Sequence, residues 1–464
     1  MARVVLVASP ILQAVGTPDQ DQSGQIIGVI TQTIAVRRAG WQYSPVISGT
    51  SAHDASRDAG QTVTLRLNCA ETEVIQRKVC WGMLWPILHG RPDMMQYDAA
   101  AFASYVEANH ELAQVLRSKL NQDDVVWVHG LHHIPFGRAV RKLGFSGQLG
   151  FLLHTPMPAA PGLLAFPHSR ELMNDLQSYN LIGFQTQNCL NNFREAVRVL
   201  GLHDGGNRNR GQDAGTSAET GVFPSPNDAK RITEQAGSAE SLRKVQYLRR
   251  CSGHRRLIMS WCTSDYTQGL SNRLQGFERL LETEPRLRGE VSMLLFVLPF
   301  RECLDENQAE IVEAESALAK INGRLSTLEW TPIKYIFRSP GRAWSIALMR
   351  ASHVGLIVPL SEGMSLAAKD FIAAQDPDDP GVLILSRFAG GCDELSDAVL
   401  VNPYDPDHVA QAMSVALDMS SEERKARWFK MFRDLEADNV ESWCDRFLKS
   451  LASASGPRTH VNAA

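Results

Sequence analysis

Short apolar runs recur along the chain, and most are followed by a stretch whose apolar residues return every three to four positions. Arg3–Ala8, Val125–His129, Leu149–His154 and Leu181–Gln185 read as buried strands, and Ala99–Ser118 and Cys189–Leu200 as amphipathic helices. A second series begins at Arg256–Trp261 and continues through Val291–Leu298, Tyr335–Phe337, His353–Val358 and Val382–Leu385. Apolar runs this short suit parallel strands covered on both faces, so the alternation predicts α/β layers around parallel sheets. Residues 203–221 break the rhythm. They are rich in Gly, Asn and polar residues without a period, and read as a flexible surface loop. Val222–Pro226 then closes a first domain over 1–226, and the polar, helical Asn227–His254 connects it to a second domain over 227–439. The tail Glu422–Leu451 reads as helical and carries Trp428, Phe432, Trp443 and Phe447. Two Rossmann-like domains predict a central cleft lined by loops at strand C-terminal ends.

The run Val354–His408 carries the clearest chemical signal. An apolar strand ends at Pro359, a Ser361-Glu362-Gly363 turn follows, and a helix opens near Met364. Gly363 lets backbone approach a ligand closely, and free N–H groups at a helix start favour an anion. Glu362 and Asp370 are placed around that helix to grip hydroxyls, with Asp370 two turns in. Together these features suggest a nucleotide-sugar site.

Bulk properties narrow the class without naming it. The 464 residues suffice for two domains, with 44% hydrophobic and 21% charged residues. A net charge of −4 gives no reason to expect a nucleic-acid or anionic-membrane partner. The apolar start, Met1–Leu12, lacks a basic leader and a cleavage site and reads as a strand. Eight cysteines without regular spacing suit a reducing cytoplasm. His129, His132 and His133 are poorly spaced for tetrahedral zinc and read as structural or pocket-lining, so no resident metal site is assigned.

Several motifs in order resemble the trehalose-6-phosphate synthases, glycosyltransferase family 20. They are Leu84-Trp85-Pro86, Trp127-Val128-His129, Pro135-Phe136, the run Gly150 to Pro158, Ile182 to Thr186, Ile321-Asn322-Gly323, Trp330-Thr331-Pro332 and the Val354–His408 run. The resemblance implies a GT-B fold, with a C-terminal helix (440–452) crossing back onto the first domain. It also implies a retaining transfer from a UDP- or GDP-linked sugar to a phosphorylated sugar, with no required cofactor, no protein nucleophile and room for a divalent metal. Oligomerisation is compatible with it.

Carried over residue by residue, the resemblance assigns His154, Arg342 and Gly363 to catalysis. On the donor side it assigns Gly24, Thr263, Gln268, Glu362, Met364, Ser365, Leu366 and Asp370, the last as the ribose contact. On the acceptor side it assigns Trp85, Gly130, His132 and Arg301. The departures matter. The family's R-L-D-Y-S-K-G, whose Arg and Lys hold the donor diphosphate, is Thr263 to Gly269 here, and both cations are gone. Losing one such donor commonly costs about 3 kcal/mol of transition-state stabilisation. Arg301, Arg338, Arg342 and Lys369 are the candidate replacements. On the acceptor side a phosphate-reading arginine is lost at Ala8-Ser9-Pro10, a tyrosine is Gln76, an aspartate is Gly130 and a Gly-Gly loop is Gly24-Gln25. Lost polar partners imply a changed acceptor. The leading expectation is therefore a divergent transferase coupling a sugar or cyclitol to a non-standard sugar or aminocyclitol acceptor in secondary metabolism, as the family's pseudo-glycosyltransferase offshoots do in antibiotic pathways. The alternatives are a catalytically silent nucleotide-sugar-binding regulator and the ordinary synthase.

Overall fold

A computed structural model of the chain describes residues 4–8, 43–48, 63–65, 74–202, 218–253, 255–299 and 305–454. These residues form two compact units, one reaching to Ser225 and taking in Val440 onwards, the other Pro226–Asn439.

In the first unit seven parallel strands run in the order β3–β2–β1–β4–β5–β6–β7. They are β1 (Val4–Ala8), β2 (Tyr43–Ser48), β3 (Val63–Leu65), β4 (Val125–His129), β5 (Gln148–Leu152), β6 (Leu181–Phe184) and β7 (Glu219–Val222). The last strand corrects the expectation of Val222–Pro226. Residues 219–221 of the expected loop belong to β7, in register Leu181↔Glu219 to Phe184↔Val222, while 203–217 lie outside the described residues. Thr220 and Gly221 hide this edge strand from a hydrophobicity reading. Pro45 and a length of three residues hid β2 and β3 in the same way.

The tail is two helices, Ser421–Ala437 and Val440–Ser453, broken at Asp438-Asn439. The second helix packs on the first unit's sheet. Phe447 stacks on Trp127 of β4, with ring centres 4.3 Å apart and planes 9° apart, and Trp443 lies 5.4 Å from the same indole. Glycines make the slot: a Cβ on Gly150 of β5 or Gly183 of β6 would come within 3.0 Å of the Phe447 ring.

The second unit has six parallel strands in the order β10–β9–β8–β11–β12–β13. They are β8 (Arg256–Thr263), β9 (Val291–Leu298), β10 (Ile333–Ile336), β11 (Val354–Ile357), β12 (Val382–Ser386) and β13 (Val399–Val401). Leu274, Phe277 and Leu281 belong to one core cluster, and Phe371, Ile372 and Trp428 to another. The chain winds outward from β8 on one side and returns through β11 on the other. The loops after these two strands therefore part at a topological switch point, where doubly wound sheets bind ligands.

Candidate active site

At the switch point of the second unit, β8 ends at Thr263, and the loop after it carries Gln268 and ends at Gly269, whose φ of 65° only glycine adopts without strain. The Asp265 carboxylate accepts from the backbone N–H of Thr267 at 2.9 Å and from its hydroxyl. The Thr267 carbonyl in turn accepts the N–H groups of Leu360 and Ser361, at 2.8 and 3.2 Å, which ties this loop to the one following β11. Sequence reasoning missed Arg273. It is fully buried and donates to the carbonyls of Trp261 (2.8 Å) and Gln268 (2.9 Å) and to Ser260 Oγ (3.2 Å). The available signal was an arginine between Leu270, Leu274 and Phe277 on the buried face of helix Leu270–Thr283. It braces the loop from behind.

The turn after β11 is strained as well as close-packed. Ser365 has φ 54°, the only positive value at a non-glycine among the described residues, and such a conformation persists where the surroundings impose it. The helix begins at Leu366 rather than near Met364, so Asp370 is one turn in, not two. The Glu362 N–H donates to the Phe388 carbonyl at 3.1 Å. Burial pushes the Glu362 carboxyl above its ordinary pKa, opposed by the neighbouring Ser365 hydroxyl and the Arg273 charge. Its Oε2 has no partner among the described residues. A carboxyl in that state is suited to hydroxyls, not phosphate. Asp370 accepts from Asn227 Nδ2 at 3.2 Å; burial raises its pKa while the Arg342 charge and Asn227 pull it back. Arg342 opens helix Arg342–Ala351 and donates from Nε to Gln235 at 3.2 Å.

Lys369 does not replace the lost diphosphate cations. It is 1% exposed and paired with Glu394 at 2.8 Å. The preceding and following residues, Leu366 to Ala374, are apolar apart from Lys369 and Asp370, so a lysine there needs a dedicated counter-ion. Glu394→Gln removes the negative charge paired with this buried ammonium and is expected to cost about 3 kcal/mol, read as a lower urea midpoint. An unchanged midpoint would show that the pair is dispensable. Arg338 is exposed, and Arg301 and Gly24 lie outside the described residues.

In the first unit the candidates gather at the ends of β4 and β5. Gly130 (φ 80°, ψ 160°) follows β4 and leads into the turn that carries His132. Burial lowers the His132 pKa to about 4, and neither ring nitrogen has a partner among the described residues. Trp81 bridges His132, at 6.3 Å, and Trp85, at 4.7 Å, and Trp85 packs on His89 at 4.0 Å. His154 follows β5, is buried and is neutral, with its pKa also lowered to about 4 by burial. Its Nε2 is 3.0 Å from Nδ1 of His129. Among the described residues no group of three or more His, Cys, Asp or Glu is placed to hold a metal ion, and no helix is long and apolar enough to cross a membrane.

Residues 20–453 match glycosyltransferase family 20. The trehalose-6-phosphate synthase of Sinorhizobium fredii is 38% identical over 80% of both chains, and that of Klebsiella pneumoniae 33% identical over 99% of this chain and 97% of its own. Among solved structures, the UDP-forming α,α-trehalose-phosphate synthase of Burkholderia xenovorans in complex with glucose-6-phosphate superposes with a TM-score of 0.86. It is 35% identical and covers 97% of this chain and 100% of its own. The E. coli enzyme bound with UDP-2-fluoro glucose gives a TM-score of 0.87 at 30% identity, covering 98% and 100%. These likenesses bear out the GT-B fold class. Two doubly wound parallel units, a glycine turn at the second unit's switch point and similarity along nearly the whole length lead to one assignment: this chain is a transferase belonging to glycosyltransferase family 20.

Proposed function

We propose that the protein transfers a glucosyl unit from a nucleoside-diphosphate glucose to glucose 6-phosphate, with retention, as a trehalose-6-phosphate synthase. The observation that carries this reading is the similarity to such synthases over 97–99% of this chain. In this reaction the bond from C1 to the diphosphate oxygen breaks and a bond from C1 to the acceptor hydroxyl oxygen forms on the same face. The acceptor proton leaves with the departing diphosphate. The Gly363 turn offers backbone N–H groups to the diphosphate, Asp370 held by Asn227 takes the ribose hydroxyls, and His154 contacts the transferred sugar. Nothing in the relatives supports a non-standard acceptor or a place in secondary metabolism, and the ordinary reaction is the better-supported reading.

A second reading, a nucleotide-sugar binder without turnover, is favoured by one observation. The cations lost at Thr263 and Gln268 are not replaced by Lys369, which is committed to Glu394, nor by Arg273, which is fully buried. Incubation with UDP-glucose, or GDP-glucose, and glucose 6-phosphate, followed by phosphorus NMR, separates the two. Release of nucleoside diphosphate with a new disaccharide phosphate is the expected result. Binding of UDP without release supports the silent reading, and no binding of UDP or GDP overturns both. The double variant Thr263→Arg, Gln268→Lys is expected to raise the rate on the order of 10²-fold or more, the usual worth of a fixed donor at a developing charge.

A further inference from the structure

Two buried imidazoles meet where neighbouring strands end. His129 closes β4, and His154 stands two residues beyond β5. Their Nδ1 and Nε2 atoms are 3.0 Å apart, and the rings lie 5.3 Å apart at 19°. His129 is 0% and His154 6% exposed. Burial holds both rings neutral near pH 7, and at His129 the neighbouring His154 adds to the effect.

Proton counting then restricts the pair. Two neutral imidazoles carry two N–H protons on four nitrogens. A contact of 3.0 Å between ring nitrogens is a hydrogen bond and needs one proton between them. If His129 Nδ1 donates, His154 Nε2 is bare and its own proton must lie on Nδ1. If His154 Nε2 donates, its Nδ1 is bare and His129 carries its proton on Nε2. In either case the two rings share the same tautomer, and the outer nitrogens have opposite character, one donor and one acceptor. Those outer nitrogens, His129 Nε2 and His154 Nδ1, have no partner among the described residues.

We propose that His129 is a positioning residue for His154. It fixes the ring orientation and ties the His154 tautomer to its own, so that His154 Nδ1 can change its hydrogen-bonding sense toward the transferred sugar only if His129 changes with it. A ring free to exchange tautomers would present a donor part of the time and an acceptor otherwise, and would have to be ordered in each turnover. The proposal rests on the reading of His154 as a sugar contact.

The test uses the full chain with nitrogen-15-labelled histidine and long-range proton–nitrogen correlation spectra. The wild type should show His129 and His154 in the same single tautomer. His129→Leu removes the partner, so the His154 nitrogen shifts should move toward each other. Its kcat/KM with UDP-glucose and glucose 6-phosphate should fall about 10- to 100-fold, the scale of a small misplacement of a reacting group. His129→Asn keeps an amide near the position of Nδ1 and should recover most of that loss together with the single tautomer. Affinity for UDP, which lacks the sugar, should stay at the wild-type value in both variants. Opposite tautomers in the wild type, or a leucine variant with unaltered His154 shifts and kcat/KM, would overturn the proposal. Failure of the wild type to bind UDP would sink the functional reading instead, while the tautomers still decide whether the two rings are locked together.

Discussion

Gly390→Ala is expected to weaken UDP binding by about 100-fold or more, while Gly391→Ala leaves it within a few-fold of wild type. A Cβ on Gly390 would lie 1.7 Å from the Gly363 carbonyl oxygen, 2.2 Å from its carbon and 2.9 Å from the Met364 nitrogen. All three are backbone atoms, so no rotamer change relieves the contact. The turn must retreat by well over an ångström or the segment after β12 must give way. Displacement on that scale would carry the turn's N–H groups away from the phosphate they are proposed to meet. At Gly391 the nearest atom to an added Cβ is the Ser365 Cβ at 3.6 Å, an ordinary contact. The neighbouring glycine is thus a matched control for helicity, entropy and local composition. Titration calorimetry with UDP reads the result, and circular dichroism confirms the fold. Wild-type affinity in the Gly390 variant would show that the turn does not hold the nucleotide where the sheet topology puts it.

Truncating the other close-packed contact should act on stability. Phe447→Ala is expected to destabilise the first unit by about 3–5 kcal/mol, the range for deleting a fully buried aromatic ring. Phe447 is 0% exposed, stacks on Trp127 and meets Phe223 edge-on at 5.0 Å. The slot under it is rigid, because Gly150 and Gly183 are strand residues whose backbones are held by pairing on both sides. Strands so held cannot collapse into the vacated volume, which places the cost at the upper end of the range. Urea denaturation followed by tryptophan fluorescence reports the loss, since Trp127 loses its stacking partner and Trp443 lies beside the same indole. A shift worth less than about 1 kcal/mol would mean that the C-terminal helix contributes little to this unit.

Much of the fold was legible because its strands are fully buried. Val125–His129 and Val291–Leu298 are apolar apart from His129 and Ser292, and the structure places strands at those same bounds. The signal failed where burial is partial or the chain is locally irregular. β7 carries Thr220 and Gly221 at a sheet edge, and β2 contains Pro45. Within the site, Gly363 and Asp370 stood out because a glycine turn and a spaced acid are patterns along one segment. Gly390 and Arg273 did not, since their roles depend on atoms brought from other parts of the chain: Gly390 meets the carbonyl of Gly363, and Arg273 braces the end of β8.

By itself, then, the chain's order of residues determined the α/β class, the parallel strands, the turn at Ser361–Gly363 and the likeness to family 20, because each is written as local periodicity or a contiguous motif. Only the tertiary structure decided that Lys369 is spent on Glu394, that Ser365 is held at φ 54° and that His154 shares a proton with His129. The physical reason is common to all three. Charge pairing, backbone strain and tautomer depend on which groups surround an atom once water is excluded, and strand pairing and helix docking bring those groups together from distant positions.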